Sequence, residues 1–84
     1  MIFDVVSVSR GDIHLDDGCR RLRVLGEGLL KTKPDDPAFV VYLNSIVGFE
    51  PPNDGEHIDD DTRAKIIDAI KRHFERHGSM VDFE

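Results

Sequence analysis

Along the first half of the chain apolar residues alternate with polar ones, and in the second half they recur at helical spacing. Residues 2–9, "IFDVVSVS", are β-branched and alternate from Val6 onward, which predicts a strand. Arg10-Gly11 follows as a turn, and "DIHLD" then places Ile13 and Leu15 on one face. Asp17-Gly18 is a hairpin signal, and "CRRLRVLGE" after it sets Leu22 and Val24 on one face. A two-residue loop there pairs Asp16 with Cys19, His14 with Arg21, Ile13 with Leu22 and Asp12 with Arg23. Apolar residues then meet on one face, and acid and imidazole meet arginine on the other. A turn at Arg10-Gly11 adds the pairs Val8–Ile13 and Val6–Leu15. The expected apolar face is therefore Val6, Val8, Ile13, Leu15, Leu22 and Val24.

Residues 26–37, "GEGLLKTKPDDP", are rich in Gly, Pro and charge and are expected to form a loop. Residues 38–49, "AFVVYLNSIVGF", are apolar on both parities and predict a more buried fourth strand, long enough to carry a bulge. In "DDTRAKIIDAIKRHFERH" Ile66, Ile67, Ile70 and Phe74 form one stripe, with Asp68, Lys71, Arg72 and Glu75 opposite. Asp59 is placed to cap that helix, Asp60 and Asp61 suit its first turn, and Gly78 suits the position after its end. "SMVDFE" closes the chain as a short strand with Val81 and Phe83 on one face. The expected fold is α+β in a single domain, residues 1–84: an antiparallel β-meander of about four to five strands, with one long helix in the C-terminal half packed on one face.

Between fourth strand and helix lies "GFEPPNDGEHIDDD", residues 48–61, with two prolines and six acids. A connector needs only four to six residues or so. Helix capping accounts for Asp59, Asp60 and Asp61, whereas Glu50, Asp54 and Glu56 cap nothing. The prolines lower the entropic cost of holding such a segment in one shape for a partner. The formal charge of the 84 residues is −6, which disfavours nucleic acid as a direct partner and favours solubility or a basic protein surface.

The single cysteine, Cys19, allows no internal disulfide, so the chain is expected to be cytoplasmic. The opening "MIFDVVSVSRGD" lacks a basic leader and a small-residue cleavage site, so no signal peptide is expected. No stretch approaches the roughly 20 apolar residues of a membrane span.

Candidate chemistry is sparse. His73 and His77 have a spacing that can chelate metal, but two further ligands cannot be placed beside them. The histidines are better read as part of the helix's last turns. Cys19 lies a few residues from His14 without adjacency in the expected register, so no nucleophile–base pair is expected. Gly26-Glu27-Gly28 lacks the third glycine and following helix of a dinucleotide loop. "RRLR", residues 20–23, alternates sides in a strand and is read as cross-strand pairing with Asp12 and Asp16. No enzymatic activity, metal or cofactor is expected.

The runs "SVSRGDIHLDDGCRRLRVLGE", "FVVYLNSI" and "EPPNDGEHIDDDTRAKIIDAIKRHFERHG" together resemble the Immunity protein 74 family. These are small immunity proteins of bacterial polymorphic-toxin and contact-dependent growth inhibition systems. The most specific part is the aromatic–acid–Pro-Pro–x–acid segment before the helix: Phe49, Glu50, Pro51, Pro52, Asn53 and Asp54. Phe49 stands where such proteins more often carry Trp, and Asp59 where they more often carry Ser or Thr. The resemblance implies a cytoplasmic antitoxin that binds and neutralises a cognate toxin domain, often a nuclease, with no membrane, nucleic acid or small-molecule cofactor of its own. A basic nuclease and an acidic inhibitor are complementary in charge. The candidate toxin-binding residues are Phe49, Glu50, Asp54, Glu56, His57, Asp60 and Asp61. The alternative is a small non-enzymatic regulatory or structural interaction module, which could act as a homodimer through a sheet edge.

Overall fold

The computed structural model describes residues 2–30 and 32–84; Met1 and Lys31, the latter within the expected loop, lie outside the described residues. Five strands form one sheet in the order β1(Asp4–Val8), β2(Asp12–Asp16), β3(Arg21–Gly28), β4(Phe39–Val41) and β5(Val81–Phe83). A 3-10 turn (Leu43–Ser45) and one long helix, α1(Asp60–Arg76), lie between β4 and β5. The fold is α+β, as the sequence predicts. The sheet is mixed, because β5 runs parallel to β4 while the other neighbours are antiparallel. The reason is the helix: a strand that returns through a helical crossover comes back in the same direction.

The β2–β3 register differs from the one expected. Asp16 faces Arg21, Leu15 faces Leu22, His14 faces Arg23 and Ile13 faces Val24. The connection is four residues, Asp17–Arg20, because aspartate side chains organise it. The Asp17 carboxylate accepts from the amides of Cys19 (2.9 Å) and Arg20 (2.7 Å), and Asp16 accepts from Gly18 (2.5 Å). These side-chain turns displace the tight Asp-Gly hairpin. The slip amounts to two residues, and side chains alternate with period two, so every residue keeps its face. Ile13, Leu15, Leu22 and Val24 are accordingly all buried.

Val8 pairs with Ile13, as the turn at Arg10-Gly11 predicts, and lies at the margin of that face, 39% exposed. Val6 does not join it: a register shift between Val5 and Ser7 sets Val5 against Leu15 and leaves Val6 60% exposed. An edge-strand bulge of this kind also interrupts a template for unwanted strand pairing. The expected fourth strand over 38–49 is shorter than its composition suggests: only Phe39–Val41 pairs as strand. After Tyr42 the chain turns through the 3-10 segment yet still follows the free edge of β3. Tyr42 donates to the Leu25 carbonyl (3.0 Å), the Ser45 hydroxyl accepts from the Leu25 amide (2.9 Å), and Glu50 donates to the Arg21 carbonyl (2.7 Å).

The helix begins as the sequence predicts, with the Asp59 side chain accepting from the Thr62 amide at 2.8 Å. It ends at Gly78, whose φ of +69° suits only glycine readily; the Ser79 amide then reaches the Phe74 carbonyl at 2.8 Å. Its stripe of Ile66, Ile70 and Phe74 is buried against the sheet, and Ile67 packs at the margin. Phe39 bridges the two layers, with its ring 5.9 Å from that of Phe74 and lying over Gly26. A Cβ on Gly26 would sit 2.4 Å from the Phe39 ring and 2.3 Å from the Val40 carbonyl oxygen, so only glycine fits under this aromatic. Among the described residues no helix is long and apolar enough to cross a membrane.

Candidate functional site

The acidic connector is moored to the fold through Phe49, which is buried and stacks parallel to Phe3 with 6.4 Å between ring centres. The Arg20 guanidinium lies over the Phe49 ring, 4.4 Å from its centre. Arg20 also reaches Asp17 at 2.9 Å and Glu56 at 3.3 Å. A single cation thus ties the β2–β3 turn, the core aromatic and the middle of the connector together. Burial pushes the Asp17 carboxyl up, but the Cys19 and Arg20 amides and the Arg20 guanidinium outweigh it and hold it below the ordinary value.

Two turns shape the connector between these anchors. The Asn53 amide donates to the Glu50 carbonyl and the Glu56 amide to the Asn53 carbonyl, both at 3.0 Å. The Asn53 side chain donates to the Glu56 carboxylate at 2.5 Å. The Pro51-Pro52 peptide is cis. Ile58 packs on the core just before the helix cap. Arg63, in the first helical turns, donates to the carbonyls of Ile46 (3.0 Å) and Leu43 (2.5 Å), which clips the helix start to the 3-10 turn. Nothing in the sequence singled out Arg20 or Arg63 for these tasks; an arginine beside two aspartates reads equally well as surface pairing.

The seven candidate residues separate by surroundings. Phe49 is buried, so it positions the connector and does not face a partner. Glu50 lies 3.7 Å from His14 on the helix-free side of the sheet. Glu56 is engaged with Arg20 and Asn53, and Asp61 pairs with Lys65 at 3.0 Å. His57, Asp54 and Asp60 are exposed, and Asp54 and Asp60 have no ion-pair partner among the described residues. The structure brings Glu50, Asp54 and Glu56 onto one short, shaped segment and sets Asp60 and Asp61 at the helix N-terminus that follows it.

The remaining acids of the hairpin are neutralised locally. Asp12 pairs with Arg23 at 2.7 Å and Asp16 with Arg21 at 2.8 Å. The Ser9 hydroxyl and Arg23 hold the Asp12 carboxyl below its ordinary value, and the Gly18 amide and Arg21 do the same for Asp16. On the helix, His73 and His77 have ring centres 4.5 Å apart, and the His77 ring nitrogen meets the His73 carbonyl at 2.8 Å. Among the described residues no group of three or more His, Cys, Asp or Glu side chains is arranged to hold a metal ion.

A family model described as Immunity protein 74 matches residues 5–84. No curated protein and no solved structure matches the chain.

Proposed function

The chain belongs to the Immunity protein 74 family, since the match spans residues 5–84 of 84, and from that premise we propose that it binds and neutralises a cognate toxin domain, a basic nuclease of a bacterial polymorphic-toxin or contact-dependent inhibition system. It acts in the cytoplasm, by contact alone, without catalysis or a cofactor. The family match carries this reading, because an immunity protein implies a toxin partner.

The nuclease assignment is supported by charge. A protein that grips phosphates is cationic, and this chain carries −6 with unpaired carboxylates on a shaped connector. Asp54, His57 and Asp60 form the exposed contact set, with half-buried Glu50 beside them; Glu56 contributes from its place between Arg20 and Asn53, and Asp61 at the helix start. Phe49 holds the segment in place from beneath.

Co-expression with the toxin domain encoded beside this chain tests the proposal. Survival of cells that the toxin alone kills, a stable complex of the two purified chains, and suppressed nucleic-acid cleavage are expected. A toxin that kills equally well with the chain present, and forms no complex with it, contradicts the proposal. A complex that protects cells but contains a toxin without nuclease activity overturns only the nuclease part.

A further inference from the structure

The single helix covers one face of the sheet and leaves the other bare. Along that bare face the acids differ in their surroundings. In the middle, Asp12 and Asp16 are neutralised by Arg23 and Arg21. Toward β4 and β5 they are not. Glu27, Val40 and Asp82 lie in line across three strands through the pairs Glu27–Val40 and Val40–Asp82. Val40 points away from the helix, since Phe39 and Val41 on either side of it belong to the core, but it is itself buried at 7% exposure. Tyr42 donates its hydroxyl to Glu27 at 3.1 Å. That bond, burial and the charges of Glu27 and Glu84 hold the Tyr42 phenol above its ordinary value; Glu84, two residues beyond Asp82, donates its amide to the Val41 carbonyl at 2.8 Å and joins the same group. Leu25, 41% exposed, borders it. Glu27, Asp82 and Glu84 have no ion-pair partner among the described residues. Arg10 lines a shallow cavity with Glu27 but forms no ion pair there.

A half-buried tyrosine and an exposed leucine ringed by acids form the kind of centre and rim found at protein interfaces. The connector alone is too small to be a complete one. A standard interface takes about 800 Å² from each partner, roughly a seventh of the 5492 Å² surface of this chain. The connector is 14 residues long, residues 48–61, and Phe49 is withdrawn into the core. It is also continuous with the bare face: Glu50 joins His14 and Arg21 in lining a cavity there, and residues 42–50 follow the edge of β3.

Building on the toxin-binding reading above, we infer that the helix-free sheet face centred on Leu25 and Tyr42, with Glu27, Asp82 and Glu84 at its rim, is the second half of the partner surface and receives a basic, lysine- or arginine-bearing protein face. Long cationic side chains suit it because their aliphatic stems lie on Leu25 and Tyr42 while their heads meet the carboxylates. The partner then presents two basic clusters, one for the connector and one for this patch, on either side of the neutral Asp–Arg ladder of β2 and β3.

The probe is the toxin domain encoded beside the chain. Asp82→Lys, and separately Glu27→Lys/Asp82→Lys, are expected to weaken its binding by roughly tenfold or more, with melting temperatures near wild type. Among the described residues the Asp82 side chain makes no hydrogen bond or ion pair, so Asp82→Lys keeps the test valid if loss of the Tyr42–Glu27 bond perturbs the double variant. In the wild-type complex the methyl signals of Leu25 should shift while those of buried Leu22 and Val24 stay nearly fixed. Variants that bind as tightly as wild type, with unshifted Leu25 methyls, overturn the second surface and leave the toxin-binding reading intact. Absence of any complex with the wild-type chain overturns both.

Discussion

The β2–β3 hairpin and the connector are both acidic, yet their carboxylates have opposite uses. In the hairpin each aspartate has an arginine: Asp12 has Arg23, Asp16 has Arg21 and Asp17 has Arg20. In the connector and first helical turn, Asp59 caps the helix and Glu56 shares Arg20, but Asp54 and Asp60 are exposed and have no ion-pair partner among the described residues. Charge spent inside the fold stabilises it or shapes it. Charge left uncompensated in a fixed conformation is available to a partner. Neighbours, and not the number of acids, separate the two regions.

Both regions rest on one core, and the largest effect should come from breaking it. Phe74 is buried between the helix and Phe39. Phe74→Ala is expected to cost about 3–5 kcal/mol, enough to unfold much of a domain this small, as measured by urea or thermal denaturation. A melting temperature within a degree or two of wild type would refute the packing described.

Arg20 joins the two regions, so its removal tests whether they are separable. Arg20→Met keeps the stem over Phe49 but leaves the buried Asp17 without its cation. The expected loss is about 1–3 kcal/mol, together with faster amide exchange across residues 50–57. Unchanged stability would mean that the connector holds its shape without the clamp.

Acid titration gives a smaller effect, read at the hairpin. Asp12, Asp16 and Asp17 lie below the ordinary carboxylate value of 3.8 in the folded chain. A lowered folded value means that the unfolded chain binds protons more readily there. Their stabilisation is therefore complete above pH 3.8 and lost as pH falls through the lower folded values. Carboxyl titration followed by NMR should find all three below 3.8, and Arg23→Gln should move Asp12 upward. The half-buried His73 acts in the same sense at higher pH. Burial first, then His77 and Arg76, depress it below 6.5, so its contribution is full above 6.5 and lost as pH falls. His73→Gln should flatten the stability profile just below that pH.

The smallest stability effect belongs to Asp54. Asp54→Lys should change unfolding free energy by no more than about 0.5 kcal/mol, because nothing in the fold depends on it. Glu56 is unsuited to that role, since reversing it also breaks the contact with Arg20.

The strand faces were legible in the sequence because period two survives a slip of two residues; Ile13, Leu15, Leu22 and Val24 kept their side despite the wrong partners. The helix was legible from its stripe and cap. Three features were not. The bulge that exposes Val6 has no marker in a β-branched run. The early end of β4 is set by a helix turn and by Arg63, twenty residues on from Leu43. The tie between Arg20, Phe49 and Glu56 depends on residues far apart in the chain. The bare face near Tyr42 also escaped notice, because Glu27, Val40 and Asp82 become neighbours only through strand order.

The most direct test of the central claim is the association rate of the chain with the cognate toxin domain proposed for it, measured by stopped flow across a salt series. For wild type the rate should fall as salt rises, since exposed charges are screened over about 8 Å at physiological ionic strength. Asp54→Lys/Asp60→Lys should associate several-fold more slowly at low salt and converge on wild type at high salt, with stability unchanged. A double variant that associates as fast as wild type at low salt would contradict the claim that the uncompensated acids meet the partner.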